Sequence, residues 1–373
     1  MLYMKIKNGF KFKKNGWNYI SIKGNPSERG YAHGVLLRDE IKAALKTMKW
    51  NLYETHGIKV PFFIELSNYL YKKPLEEDFH EFFEELVGIS KGAHVDLDEL
   101  ILWNNLGSLE YALPKIKLFL DHMPHLREKY KHIVEDIEGG NTLEGGGSDH
   151  CSAFLAIGDY THDGKICCAH NTFTNFIDGQ WCNVIIDLKP TNGHRILFQS
   201  LPGYIISQTD FFINSKGFIG TETTIGGFNK YAHKHPISCR IRNCMQYANT
   251  LDDYIEMLHK ENSGDYANSW LVGDTTNNEI MRIELGLNFS NIERKKNGYF
   301  IGFNAPYDPR IRNLECTNTG FDDIRRHQGA RKVRLEQLME QNKGKLNTDI
   351  AMELIADHYD VYLNKTNMCS RTV

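Results

Sequence analysis

The sequence predicts an α+β protein, and three observations carry that prediction. Apolar residues recur at helical spacing through the first third of the chain. Five glycines then crowd between Gly139 and Gly147. From Cys151 onward, short runs of strand-forming residues alternate with turn signals.

The elements follow in order. Lys5 to Lys23 alternates apolar and polar residues around Asn15-Gly16, which predicts a β-hairpin with its lysines in water. Leu37, Ile41, Leu45, Met48 and Leu52 predict an amphipathic helix, and Phe79, Phe82, Phe83, Leu86 and Ile89 a second one ending near Gly92. A third is expected over Leu97 to Leu106, with Asp96 or Asp98 as its cap. The glycine-rich stretch from Glu138 to His150 reads as a flexible linker, and it lacks the G-K-[ST] ending of a phosphate loop. Strands are expected from Cys151, at Lys165 to Ala169, Cys182 to Leu188, Arg195 to Gln199, Phe211 to Asn214 and Phe218 to Thr221. Further strands are expected at Trp270 to Gly273, Glu279 to Glu284 and Tyr299 to Phe303, with helices near Leu251 to Leu258 and Ala330 to Met339. Residues 1–150 thus form a mostly helical segment and 151–373 a β-rich one, expected to pack as one domain.

Composition excludes several classes. The 373 residues are 24% charged and 41% hydrophobic with a net charge of -3, an ordinary globular balance that argues against a nucleic-acid partner. No signal-peptide core and no run of about 18 apolar residues is present, so the expected compartment is cytoplasmic or otherwise non-secreted. The eight cysteines contain no C-x-x-C pair, which predicts free thiols, no metal and no cofactor.

Cys151 opens a strand directly after the linker, and that position has a chemical use. Cutting the His150–Cys151 bond would give Cys151 a free α-amino group of pKa about 7.7–8.0, able to take the proton of its own thiol. A thiol of pKa about 8.5 then needs little activation near neutral pH. The linker would let the His150 carbonyl reach an attack geometry, with His150 and Asp149 moving protons. The plainer account of a lone cysteine at a strand start is a small buried residue.

Beyond this point the sequence resembles a known family. Asp149-His-Cys-Ser-Ala-Phe followed by Ala169-His-Asn-Thr-Phe173 is similar to the phospholipase B-like family, in which a cysteine precedes an H-N-T-W element. Leu201-Pro-Gly-Tyr, Gln208-Thr-Asp-Phe-Phe, Gly220-Thr-Glu-Thr-Thr, Asn262-Ser-Gly-Asp-Tyr-Ala-Asn-Ser-Trp270, Phe303-Asn-Ala-Pro and Gly329-Ala-Arg331 follow in the family's order. In the first part, Arg29-Gly-Tyr-Ala-His-Gly34 and Gly88-Ile-Ser-Lys-Gly-Ala-His-Val resemble the self-processing acyltransferases that act on the penicillin nucleus.

Both resemblances imply the four-layer αββα N-terminal-nucleophile (Ntn) hydrolase fold and self-cleavage before the cysteine, the two fragments staying associated. They imply Cys151 as nucleophile, with His170 orienting the thiol and Asn171 beside it. Thr223 and Thr224 would bind the new amine or the oxyanion. Asn304 would be the oxyanion asparagine, with Asn268 its rival, and Arg331 would hold a carboxylate or the Cys151 region. Phe173, Trp181 and Tyr204 would line a substrate pocket. The implied substrate is a small-molecule acyl compound: phospholipid deacylation through a thioester comes first, with N-acyl amide hydrolysis or acyl transfer behind it. An uncleaved binding protein of the same fold is the alternative from another class. Three departures stand out: Phe173 replaces the family's tryptophan, no leader resembles that of the lysosomal members, and the family pattern leads to the expectation of a further strand after Val373.

Overall fold

The computed structural model describes residues 3–140, 143, 151–207, 211–317 and 320–373. Its N-terminal hairpin pairs β1 (Tyr3–Ile6), β2 (Gly9–Lys14) and β3 (Trp17–Gly24). Asn15 and Gly16 both take positive φ (51° and 82°), the tight turn that matches strand twist and that the Asn-Gly pair permits. β3 then runs parallel to β6 (Val184–Pro190), so the first residues of the chain join the strands that follow the linker.

β4 (Ser152–Gly158) and β5 (Gly164–Asn171) form a hairpin. β7 (Ile196–Ser200), β8 (Phe212–Asn214), β9 (Phe218–Thr224), β10 (Asn268–Asp274), β11 (Glu279–Leu285) and β12 (Ser290–Lys295) extend the main sheet, and β13 (Gly298–Gly302) returns beside β4. Among the described residues the main sheet has ten strands, ordered β1-β2-β3-β6-β7-β8-β9-β10-β11-β12, and the small sheet three, β13-β4-β5.

Strand alternation sets the layers. Ala153, Leu155 and Ile157 of β4, with Ile166 and Cys168 of β5 and Phe300 of β13, meet Leu271, Ile280 and Ile219 of the main sheet. The opposite face of the small sheet, Phe154, Ala156 and Ile301, is covered by Leu335, Leu338 and Met339 of helix His327–Gln341 and by Ala351 and Leu354 of helix Thr348–Ile355. The outer face of the main sheet packs on the remaining helices in the largest core. The order helices–sheet–sheet–helices is the αββα arrangement expected of an Ntn hydrolase.

The sequence reading missed helix Pro26–Leu36, which has proline in its first turn and an Asn25/Glu28 capping box. It crosses helix His80–Ala93 through two reciprocal G-x-x-x-G pairs. A Cβ at Gly30, Gly34, Gly88 or Gly92 would lie 2.1, 2.2, 2.7 and 2.4 Å from a backbone carbonyl oxygen of the partner helix. The Arg29–Gly34 and Gly88–Val95 motifs are therefore first of all a close helix crossing. Helix Leu97–Asn104 is capped by Asp96, which accepts from the Asp98 and Glu99 amides. No helix of the described residues is long and apolar enough to cross a membrane, and all eight cysteines are thiols.

Candidate active site

Cys151 directly precedes β4 and is buried. His170 pairs with Ala153 in the β4–β5 ladder, so its ring shares the face turned toward the main sheet. Glu222 lies across from them on β9. The Cys151 Sγ, a His170 ring nitrogen and a Glu222 carboxylate oxygen lie within 4.8 Å of one another. Tyr266 donates its hydroxyl to Glu222 Oε1 at 3.3 Å. Burial pushes His170 down to about 4, so the imidazole is neutral over the physiological range. Thr172 Oγ1 lies 3.2 Å from its Nδ1, while Nε2 is shielded from solvent and the ring faces the Glu222 backbone. Thiol, imidazole and carboxylate would also serve as a three-donor set for a divalent cation. Cysteine spacing could not show this, because the other two donors come from other strands.

Arg331 fixes the strand opening. Its Nη1 donates to the Cys151 carbonyl and, at 3.3 Å, to Ser152 Oγ; its Nη2 donates to Asn304 Oδ1 at 2.9 Å and to the Phe303 carbonyl at 3.2 Å. Of the two roles expected for Arg331, the geometry matches holding the Cys151 region. Asn304 sits at φ 66° and donates Nδ2 to the Thr224 carbonyl at 2.7 Å, so both ends of its amide are engaged. Asn268 differs. It pairs with Thr224 in the β9–β10 ladder and is fully buried, yet neither Oδ1 nor Nδ2 has a partner among the described residues. Thr223 Oγ1 is likewise buried without a partner, and it faces the small sheet at Gly302.

A pocket of about 210 Å³ opens at Cys151, lined by Thr172, Phe173, Thr224, Tyr204, Tyr266 and Leu106 among others. Phe173 and Tyr204 are thus where the sequence placed them. Trp181 is not in the lining; it packs against the main core. Asn171 is also drawn away: its Nδ2 donates to the Ile355 carbonyl, tying β5 to helix Thr348–Ile355. His150, the other half of the expected cleavage site, lies outside the described residues.

Sequence reading missed three acids here. Glu222 stands inside the Gly220–Thr224 stretch, where only the threonines were weighed; a carboxylate in a strand of otherwise uncharged residues was the available signal. Glu110 and Asp178 line the pocket from segments 68 positions apart, which no local pattern reveals. Burial, reinforced by the Asp178 carboxylate, pushes Glu110 up to about 8, and burial also raises Asp178.

The first-half motifs support the pocket from behind. His33 Nε2 accepts the Gly203 amide at 3.1 Å. Asn104 donates to the Gly203 carbonyl at 2.9 Å and accepts from the Ile205 amide at 3.0 Å. Trp103 Nε1 donates to the Pro202 carbonyl at 2.9 Å. These bonds hold the loop that presents Leu201 and Tyr204. Burial lowers His33 to about 4, so it accepts as a neutral ring protonated on Nδ1.

A sequence model of the Phospholipase B family matches residues 79–284, more than half of the chain. The chain belongs to the phospholipase B family. A putative phospholipase B-like 2 of Mus musculus is 30% identical over 300 residues, which are 70% of this chain and 49% of the mouse protein. That of Rattus norvegicus is 30% identical over 167 residues, 38% of this chain and 27% of the rat protein. An uncharacterized protein of Archaeoglobus fulgidus is 25% identical over 263 residues, 67% of this chain and 40% of its own length. The alignments thus span about half or less of these phospholipase B-like relatives. Among solved structures, a variant conjugated bile acid hydrolase from Clostridium perfringens is similar at a TM-score of 0.30 and 11% identity, covering 59% of this chain and 76% of that one.

Proposed function

We propose that this phospholipase B family member is a self-processing cysteine hydrolase that removes fatty acyl groups from phospholipids. The observation that carries the reading is the meeting of the Cys151 thiol, His170 and Glu222, with Cys151 itself in the lining of a pocket. In processing, the Cys151 sulfur attacks the His150 carbonyl carbon. The S–C bond forms, the C–N bond breaks, and the departing nitrogen takes the thiol proton and becomes the Cys151 amine. Water then cleaves the thioester, leaving a carboxylate on His150 and restoring the thiol.

In turnover the amine takes the thiol proton as sulfur attacks the substrate carbonyl. The resulting ammonium returns that proton to the leaving oxygen, and water hydrolyses the thioester to release fatty acid. In this reading Glu222, within 4.8 Å of the thiol, holds the ammonium, and neutral His170 orients the sulfur. Asn268 carries the oxyanion role: its amide has no other partner among the described residues, whereas that of Asn304 is committed to Thr224 and Arg331. Asn304 and Arg331 then act as positioning residues.

One observation favours a second reading. Glu110, protonated up to about pH 8, and Asp178 give the pocket hydrogen-bonding carboxyl groups, and no lysine or arginine among the described lining residues could pair with a phosphate, which suits a neutral leaving group better. Hydrolysis of N-acyl amides fits that lining. The deciding assay measures fatty acid released from glycerophospholipids, N-acyl amino acids and N-acylethanolamines by wild type and Cys151→Ala. Release from phospholipids that is lost with Cys151 supports the first reading, release from amides alone supports the second, and release unaffected by Cys151→Ala refutes both.

A further inference from the structure

The pocket at Cys151 holds about 210 Å³, less than small-molecule sites usually offer and too little for a long acyl chain together with its leaving group. A second space shares the lining residue Thr172 with it. The small sheet has three strands against ten in the main sheet, and no strand among the described residues pairs with the outer edge of β5. A cleft of about 1030 Å³ lies beside this edge, between β5 and the inner face of the main sheet. Ile166 and Cys168 of β5, Ile185 of β6, Ile219 of β9 and, from the last helix, Met352 and Ile355 give it apolar walls. It follows β5 from Lys165 to His170, about 17 Å at the strand rise. Its inner end is at His170, whose ring adjoins the Cys151 sulfur, and Thr172 lines both spaces.

We propose that this inter-sheet cleft is the acyl-chain site, and that the acid-lined pocket takes the leaving group. The inference rests on the acyl-hydrolase reading and deepens it. With the carbonyl carbon at Cys151, a chain passing His170 enters an apolar trench, whereas a chain turned the other way would meet Glu110 and Asp178. The nearness of its His170 end to the Cys151 sulfur is what favours an acyl chain over an added β-strand, which would need only the free edge of β5. Each methylene buried there should raise kcat/KM by up to about fourfold, so specificity should climb with chain length.

The test uses p-nitrophenyl esters from acetate to dodecanoate on wild type and Ile185→Trp, whose indole would fill the trench. Wild type should prefer decanoate over acetate, and Ile185→Trp should lower that ratio at least tenfold. An unchanged ratio overturns the assignment. Absence of Cys151-dependent turnover on every ester, acetate included, would instead sink the hydrolase reading.

A binding arm stands apart from both catalysis and the folding of that variant. Trp17 lines the cleft, so a brominated fatty acid should quench wild-type fluorescence more than that of Trp17→Phe. Equal quenching in the two proteins overturns the proposal. So would a concentration-dependent dimer that shields Trp17 where the fatty acid does not, since it would give the cleft to a strand of a second copy.

Discussion

Two buried polar regions, one behind the Leu201–Ile206 loop and one on β9 and β10, are finished differently. Behind the loop, Arg29 bonds Glu85 at 2.6 Å and Glu81 at 2.8 Å. Arg242 bonds Glu85 at 2.8 Å, Gln246 at 3.0 Å and the Ile205 carbonyl, and stacks over Phe82. Burial alone would raise Glu85, yet Arg242 and Arg29 together hold it below the usual carboxylate range. Within the two guanidinium groups, Arg29 Nη1 is the buried nitrogen left without a partner among the described residues. On β9 and β10, Thr223 Oγ1 and both amide atoms of Asn268 are buried with none among the described residues. An unmade hydrogen bond in a protein interior costs on the order of 1–3 kcal/mol, so a fold with no use for these atoms would fill them. The paired region serves as scaffold, and under the proposed function the open one would offer partners to a substrate oxygen and a new amine.

Breaking the scaffold should produce the largest effect. Glu85→Ala leaves two buried arginines facing each other and should destabilise the protein by about 3–5 kcal/mol, read by chemical denaturation. Activity of the surviving folded fraction should change far less. A small stability change would mean that the Arg29–Glu85–Arg242 contacts carry little of the fold.

The open side should respond in the opposite way. Asn268→Ala should lower kcat about 10²–10³-fold, equivalent to about 2.7–4 kcal/mol in the barrier, with KM and stability nearly unchanged. Asn304→Ala removes the bonds to Thr224 and Arg331 and should lower stability and processing together. If Asn304→Ala gives the pure kcat loss and Asn268→Ala does not, the two asparagines must exchange roles.

The contrast also explains how much could be read in the sequence. The Asn15-Gly16 hairpin, the Asp96-capped helix and most strand cores were legible because turn chemistry, caps and periodicity act over a few residues. So was Cys151 as a strand-opening thiol, and family motifs pointed to His170 and Arg331. What escaped depends on distant partners. Asn171 looked like a site residue until Ile355, 184 positions away, claimed its amide. Trp181 looked like a pocket aromatic but joined the core. Glu222, Glu110 and Asp178 gain their meaning only when β9, a helix of the first half and the segment after β5 converge. The parallel β3–β6 pairing spans some 160 residues and has no local signature.

Smaller effects should sharpen the electrostatics. Glu110 has a folded pKa of about 8 against an ordinary 4.5, so the folded state retains a proton that the unfolded chain releases. Its contribution to stability is complete below about pH 4.5 and is lost as pH rises through about 8. Glu110→Gln should therefore flatten the fall in Tm between pH 5 and 8, and parallel Tm profiles would refute the raised value. His170 runs the other way. With a folded pKa of about 4 against 6.5, it costs stability as pH drops through that window, and His170→Gln should ease that loss slightly in the same melting series.

The central claim is that Cys151 becomes an N-terminus and then the nucleophile, and intact mass with N-terminal sequencing of the freshly folded protein tests it most directly. Fragments 1–150 and 151–373, the second beginning Cys-Ser-Ala-Phe, are predicted for wild type, and a single uncut chain for Cys151→Ala. A wild-type chain that stays intact for days at both mildly acidic and neutral pH would contradict the account and leave the fold as an uncleaved binding protein.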